Sequence, residues 1–448
     1  MKHGEGHTIY LLGIGGIGMS ALARYYHSFG YTVAGYDRTP SPLTQQLENE
    51  GMAIHYEDNP SLLPALIDTV IYTPAVPKDL KEFEVLRQRG LPILKRAEAL
   101  GNISQDHFTI AVAGTHGKTT TTAMVAHILN QCGKNTTAFI GGIANNFNSN
   151  LLLGEGKGSI LVAEADEFDR SFLHLHPNIS IINSIDADHL DIYGDRKHLV
   201  AGFNDFAQLT KSKVILKEGL AIQTDRDIRF GFGDTCDYRA EIIKSEKGIT
   251  DFVIVGEGQK TEVRLPMAGD HNVLNATAAF IAARQIGLEP EAIANALSSF
   301  KGVKRRFDIH VNNERHCYID DYAHHPEEIR SCMTAVRTSF PDKRIMLVFQ
   351  PHLFSRTRDF MDEFASVLAL ADELILLDIY PAREKACDFP STTSAALLEK
   401  VQIDNKKLIS KGELLERIEQ EKPELLITMG AGDIDRFVEP LEKLIKTW

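Results

Sequence analysis

The stretch Thr109-Ile-Ala-Val-Ala-Gly-Thr-His-Gly-Lys-Thr-Thr-Thr-Thr122 decides the fold. An apolar, β-type run ends in Gly114-Thr115-His116-Gly117-Lys118-Thr119-Thr120, and a helical pattern follows. That order is the order of a phosphate-binding loop. Gly114 and Gly117 let the backbone turn tightly and aim N–H groups at phosphate oxygens, Lys118 brings a cation to the terminal phosphates, and the hydroxyl of Thr119 or Thr120 can ligate Mg²⁺. Val112 stands where the pattern G-x-x-x-x-G-K-[ST] has its first glycine. An ordinary β–α turn without a ligand is the plainer alternative, and it leaves Gly-Lys-Thr-Thr directly after a strand unexplained.

Two acidic clusters lie downstream. Ala163-Glu-Ala-Asp-Glu-Phe-Asp169 comes directly after the apolar run Ile160–Val162, which puts Glu164 at a strand's C-terminal end, where ligands bind in parallel sheets. Asp186-Ala-Asp-His-Leu-Asp191 follows the next such run. Glu164 and His189 at adjacent strand ends could hold one or two Mg²⁺ beside a triphosphate. Any one of these acids alone reads as solvated surface. Their joint occurrence with the loop, in strand order, favours the metal.

Upstream, Ile9-Tyr-Leu-Leu-Gly-Ile-Gly-Gly-Ile-Gly18 contains G-x-G-x-x-G between a strand and a helix. Such a turn brings N–H groups to a diphosphate, and Asp37, at the end of the next strand, stands where an acid meets a sugar hydroxyl. Alone this motif suggests a nicotinamide dehydrogenase, but any nucleotide diphosphate suits it. Farther on, Asn272 and Asn275 lie three apart on one helix face. Amides read base edges well, although caps or surface polars would look the same. Lys304-Arg-Arg-Phe307 is basic at a domain junction. Asp320-Asp-Tyr-Ala-His-His-Pro326 and Gln350-Pro-His-Leu-Phe-Ser-Arg-Thr-Arg358 each follow a strand, and His352 and Arg356 could bind a carboxylate.

A chain of 448 residues exceeds one typical core, so two to three domains are expected. Short strands alternate with helices, as in parallel sheets, in three segments: 1–103, 104–306 and 307–448. The expected class is α/β, with Rossmann-like first and third domains around a phosphate-loop ATPase domain. Residues 211–265 are expected to add an antiparallel extension to the central sheet. A net charge of −13 disfavours nucleic acid and acidic membranes as partners. No apolar run has the length of a membrane span, and no signal-peptide pattern opens the sequence. The five scattered cysteines show neither zinc nor disulfide spacing, so a reduced, cytoplasmic protein is expected, as a monomer or weak homodimer.

The order of these motifs resembles the Mur ligase family. The matching residues are Gly13-Ile-Gly-Gly-Ile-Gly-Met-Ser20, Gly114–Thr120, Glu164-Ala-Asp-Glu167, Asp188-His189, His271-Asn-Val-Leu-Asn275, Arg306, Asp321-Tyr-Ala-His324 and Phe349-Gln-Pro-His352. They span nearly the whole chain in family order. His116, the run Asp186–Gly194 and Gln350-Pro-His352 resemble the alanine-adding branch.

The resemblance implies three domains and ATP-dependent amide formation between the lactyl carboxylate of UDP-N-acetylmuramate and L-alanine through an acyl phosphate. It implies that Lys118 stabilises the transferring phosphoryl group, that Thr119 and Glu164 hold one Mg²⁺ and His189 a second, and that Asn272 and Asn275 read adenine. Arg306 and Asp321 would meet the phosphate and ribose end of ATP. Gly15, Gly16, Ile17, Gly18, Asp37 and Thr73 would surround the UDP group, and Tyr322, His324, His352 and Arg356 would line the alanine site. Two departures stand out. Leu353 occupies a position where many alanine-adding members carry a second Arg, which leaves Arg356 as the main anchor for the alanine carboxylate. Phe203 and Asn204 stand where several later ligases carry a carbamoylated lysine, so no such modification is expected. The rival readings are a ligase that reattaches recycled tripeptide to the same sugar nucleotide, a dehydrogenase, and a non-catalytic nucleotide switch.

Overall fold

In a computed structural model, which describes residues 4, 6–77, 79–156, 158–186, 195–382 and 384–448, the apolar runs form three sheets. The first comprises β1 (Thr8–Leu12), β2 (Thr32–Tyr36), β3 (Ala53–His55), β4 (Thr69–Tyr72) and β5 (Ile93–Lys95), in the order β3-β2-β1-β4-β5. Every neighbouring pair is parallel. The chain reverses direction across the sheet beside β1, and the glycine-rich turn leaves β1 at this switch point, where open parallel sheets bind ligands.

The central sheet comprises β6 (Phe108–Ala113), β7 (Thr136–Ala144), β8 (Ser149–Leu152), β9 (Ile160–Glu164), β10 (Ile179–Ile182), β11 (Lys213–Lys217), β12 (Asp227–Gly231), β13 (Tyr238–Glu246), β14 (Ile249–Gly256) and β15 (Gln259–Leu265). Its order is β15-β14-β13-β12-β11-β10-β6-β9-β7-β8. β6 lies between β9 and β10 and runs parallel to both, with Val112 opposite Glu164 and Ala113 opposite Ile182. The phosphate loop therefore emerges between the ends of those two strands. The antiparallel extension is shorter than the sequence suggests. β11, β12 and β13 continue the parallel pairing, and reversal begins only at the two-residue turns Lys247-Gly248 and Glu257-Gly258. Both residues of each turn have positive φ, the geometry that closes tight hairpins.

The third sheet comprises β16 (Asp308–Asn312), β17 (Cys317–Asp321), β18 (Ile345–Phe349), β19 (Glu373–Leu376), β20 (Lys406–Leu408) and β21 (Leu425–Met429), in the order β16-β17-β21-β18-β19-β20. Only β16 pairs antiparallel, so the loops after β17, β18 and β21 open on one edge of the sheet.

The three-domain α/β architecture packs as two compact units. One is Met1–Glu241, Ile254–Thr261 and Leu274–Phe300; the other is Ile242–Val253, Glu262–Val273 and Lys301–Trp448. The first and central sheets share a unit because they share a core. Buried Leu11, Met19 and Leu22 belong to the same apolar cluster as Ala111, Phe139 and Phe203, and Tyr25 meets Phe139 with ring centroids 5.4 Å apart. Burial of this kind stabilises by about 25 cal/mol per Å² of apolar surface. The second unit has its own core, built on Tyr318, Val348, Leu426 and Leu441.

Candidate active site

Between β6 and the helix Lys118–Gln131, the loop Gly114–Gly117 folds as its glycines require. Gly117 is the N-cap, with φ +79° and no side-chain cap, so the first-turn N–H groups are left for a ligand. A Cβ at Gly117 would stand 2.5 Å from Asn275 Oδ1 and 3.0 Å from Asn183 Nδ2. The loop rests on the end of β10. Thr115 N donates to Ser184 O at 3.2 Å, His116 N donates to Ser184 Oγ at 2.8 Å, and the hydroxyls of Thr115 and Ser184 meet at 2.9 Å. His116 Nε2 lies 3.6 Å from Asp186 Oδ2.

Lys118 Nζ is tied down by the loop backbone and by Glu167. It donates to Gly114 O at 2.6 Å and reaches both oxygens of Glu167 at 2.9 and 2.8 Å. Burial pushes the Lys118 ammonium towards neutrality, but the carboxylates of Glu167, Asp166 and Glu164 outweigh it and hold its pKa above the ordinary lysine value. The terminal phosphates of a nucleotide would meet a fully charged lysine. Thr119 and Thr120 are buried in the first turn of the helix. Glu164 ends β9 and accepts Gly141 N–H at 3.0 Å through Oε2. A hydroxyl and a carboxylate of this kind suit Mg²⁺, which takes hard oxygen ligands and shares its sphere with substrate phosphates. Among the described residues no group of three metal-ligating side chains is preassembled. Asp188, His189 and Asp191 lie outside the described residues.

In the first sheet, Gly13 and Ile14 both donate to Tyr36 O, and Gly15 N donates to Asp37 Oδ2 at 2.8 Å. Asp37 thus pins the turn, and one turn N–H is already committed to its carboxylate. Gly16 caps the helix Ile17–Ser28 with no side-chain cap and no acid in its first turn. Thr73 lies beside Gly13, whose Cβ would stand 2.7 Å from Thr73 Cγ2.

In the second unit, β17 ends in Asp321, a buried carboxylate that accepts Phe307 N–H and Ala323 N–H, both at 2.7 Å. Burial raises its pKa to about 6, against the pull of Arg306 and the two amides. The Arg306 guanidinium lies 5.0 Å above the Tyr322 ring. Tyr322 and His324 meet at 5.2 Å, His324 and His352 at 6.0 Å, and Arg356 Nη1 comes within 3.5 Å of His352 Nδ1. The structure therefore brings Arg306, Tyr322, His324, His352 and Arg356 into one continuous cluster on the loops after β17 and β18. Burial lowers the His324 pKa, and Arg356 adds to that effect against Glu328. A neutral imidazole thus stands near a guanidinium. The neighbouring Asp359 pairs with Arg358 at 2.7 Å. Leu353 opens the short helix Phe354–Asp359 with φ +70°, a strained backbone for a leucine.

Family models match the chain in order: the Mur ligase family catalytic domain over residues 8–108, the Mur ligase middle domain over 112–283, and the Mur ligase glutamate ligase domain over 305–432. The chain belongs to the Mur ligase family. A UDP-N-acetylmuramate–L-alanine ligase of Cytophaga hutchinsonii is 47% identical over 98% of this chain and 97% of its own. The enzyme of that name from Flavobacterium psychrophilum is 48% identical over 98% of both. Among solved structures, the UDP-N-acetylmuramate–alanine ligase of Thermotoga maritima superposes with a TM-score of 0.82 at 30% identity, covering 97% of this chain and 99% of that one. The murein peptide ligase of Psychrobacter arcticus gives 0.74 at 26% identity, covering 99% of each.

Within this Mur ligase, both asparagines of the helix Asp270–Gln285 are buried. Asn272 Nδ2 donates to Ala268 O at 2.7 Å, and Asn275 packs its amide against Gly117. Asn275 thus buttresses the phosphate loop, a placement its helix position alone does not reveal. Sequence reading also missed the contacts of Glu167 and Ser184 with the loop. Glu167 was visible as the last residue of the matched run Glu164–Glu167, and Ser184 only as the residue after the next apolar run. Gln350 sits in a matched motif and is structural. It is buried, donates to Asp433 Oδ1 at 2.8 Å and accepts Ile434 N–H at 3.0 Å, tying together the loops after β18 and β21.

Proposed function

We propose that this chain joins the lactyl carboxylate of UDP-N-acetylmuramate to L-alanine at the expense of ATP. The observation that carries the reading is the near full-length likeness to alanine-adding relatives. The intact phosphate loop and the Arg356 cluster support it from the side of chemistry.

A carboxylate is a poor electrophile and oxide a poor leaving group, so the acid must be activated. One lactyl carboxylate oxygen attacks the γ-phosphorus and ADP departs. The alanine amine then attacks the acyl carbon and loses its proton, the C–O bond breaks, and phosphate leaves with one former carboxylate oxygen. Lys118 and the first-turn N–H groups offset charge on the transferring phosphoryl group. Thr119 and Glu164 would hold one Mg²⁺ and His189 a second, to screen the two approaching anions. Arg306 and Asp321 address the phosphate and ribose end of ATP, and Asn272 and Asn275 its adenine. The turn Gly15–Gly18 with Asp37 and Thr73 holds the UDP group. Arg356 and His352 hold the alanine carboxylate, beside Tyr322 and His324.

We place the domain boundaries near residues 103 and 307. The enzyme works in the cytoplasm as a monomer or weak homodimer; no described helix is long and apolar enough to cross a membrane. The test is the rate of phosphate release at fixed ATP and UDP-N-acetylmuramate with L-alanine against L-alanyl-γ-D-glutamyl-meso-diaminopimelate. Turnover with alanine alone is expected. Preference for the tripeptide would assign the recycling reaction instead.

A further inference from the structure

The cluster on the loops after β17 and β18 is walled by a residue from a third loop. His352 and Tyr380 face each other with ring centroids 5.7 Å apart and planes 19° from parallel. Tyr380 lies on the loop after β19, and its backbone brackets the histidine. Tyr380 N donates to Pro351 O at 2.8 Å, and Leu353 N donates to Tyr380 O at 3.0 Å. The two bonds form a parallel bridge between His352 and Tyr380 and lay one ring on the other. Leu353, whose amide closes the bridge, holds φ +70°. A strained backbone persists only where its surroundings over-determine it, and the bridge does so here. The loop after β21 leaves the phenol its room: a Cβ at Gly432 would stand 2.7 Å from Tyr380 Cβ and 2.8 Å from its Cγ.

The stack restricts what the imidazole can offer. The terminal torsion of a histidine is broad unless packing narrows it. Tyr380 covers one face of His352, and His324 meets the ring at 71° from a centroid 6.0 Å away. Arg356 Nη1 lies 3.5 Å from His352 Nδ1. A guanidinium only donates, so Nδ1 accepts and Nε2 carries the hydrogen. His352 then presents an N–H in the neighbourhood of the Arg356 fork, and the two suit one carboxylate. We propose that Tyr380 is a positioning residue for the amino-acid substrate, its ring holding the His352 imidazole in the orientation that meets the alanine carboxylate. The face of the phenol ring does this, not its hydroxyl. The proposal rests on the alanine-site reading given above and adds to that site a residue that no motif marks.

The experiment measures KM for L-alanine by phosphate release in the wild-type chain, Tyr380→Leu, Tyr380→Phe, His352→Ala and the double variant of His352→Ala with Tyr380→Leu, with a thermal melt of each. Tyr380→Leu is expected to raise KM for alanine roughly 2- to 10-fold, the worth of one aromatic pair, with KM for ATP and for UDP-N-acetylmuramate in place. Tyr380→Phe keeps the ring and should recover most of that loss. In the His352→Ala background no imidazole is left to hold, so Tyr380→Leu should raise KM no further. Tyr380→Met carries the same comparisons if the leucine variant does not fold. A lowered melting temperature at wild-type alanine KM, or an equal rise of KM in both backgrounds, would mean that Tyr380 only packs its loop, and overturns the proposal. A loss in Tyr380→Phe as large as in Tyr380→Leu overturns it too, because the hydroxyl would then be what counts. A wild-type chain with no alanine-dependent phosphate release would instead sink the reading beneath it, and the proposal with it.

Discussion

Lys118 Nζ sits 2.9 and 2.8 Å from the two carboxylate oxygens of Glu167, a side chain wholly removed from solvent. The pair keeps the phosphate-loop lysine charged and aimed before any nucleotide arrives. Replacing Lys118 with alanine is expected to cost on the order of 3–4 kcal/mol of transition-state stabilisation, by analogy with a deleted oxyanion donor. UDP-sugar affinity should survive. Glu167→Gln strips a buried cation of its counter-charge, so folding stability should drop by about 3 kcal/mol. Steady-state rates and urea melts check both, and near-normal turnover in Lys118→Ala would remove the assignment.

Gly117 tests the loop's backbone. Alanine there must adopt φ +79° and place its Cβ 2.5 Å from Asn275 Oδ1. Positive φ costs a non-glycine residue roughly 1–2 kcal/mol before any clash. Gly117→Ala should lose ATP-dependent turnover, and Gly117→Ala with Asn275→Ala should recover stability relative to the single variant. A melting temperature unaffected by the second substitution would show that Asn275 does not brace the loop.

Arg356 has no carboxylate partner among the described residues, because Asp359, the nearest candidate in sequence, is taken by Arg358. Arg356→Ala should therefore raise KM for alanine roughly 10- to 150-fold, the worth of one charge-assisted pair. KM for ATP and for the UDP-sugar should barely move. A variant with lowered melting temperature and unchanged alanine KM would show that Arg356 only braces its loop.

Asp321 gives the fold a pH signature. Its folded pKa, about 6, lies above the usual aspartate value near 3.9 because burial penalises the anion. Between pH ~4 and ~6 the unfolded chain has released this proton and the folded chain still holds it, so stability falls as pH rises, by on the order of 3 kcal/mol. Asp321→Asn keeps the side chain neutral and should lose that slope. Urea melts from pH 4 to 7 on both proteins decide it: parallel curves would mean that folding does not raise the Asp321 pKa.

Part of the fold is legible in the sequence. Glycine-rich turns encode their own geometry, so Gly13–Gly18 and Gly114–Gly117 read as tight strand-to-helix turns, whereas the bond from Gly15 N–H to Asp37 is not legible, because the sequence only places Asp37 at the next strand end. The Lys118–Glu167 pair was not legible, because the sequence does not say which acid after β9 turns inward. The shared core of the first two sheets was equally hidden. The apolar face of Ile17–Ser28 reads the same whether it meets its own sheet or also Phe139. Pairing sense is not legible at β11 and β12, because a short strand carries no mark of parallel or antiparallel partnership; the chain reverses only at Lys247-Gly248 and Glu257-Gly258, where φ is positive.

The central claim, activation of a carboxylate by phosphoryl transfer, is tested most directly by isotope. UDP-N-acetylmuramate labelled with ¹⁸O in its lactyl carboxylate is turned over with ATP, Mg²⁺ and L-alanine, and the inorganic phosphate is analysed by mass. Transfer of one labelled oxygen to phosphate for each amide formed is the predicted result. Unlabelled phosphate accompanying amide formation would contradict it.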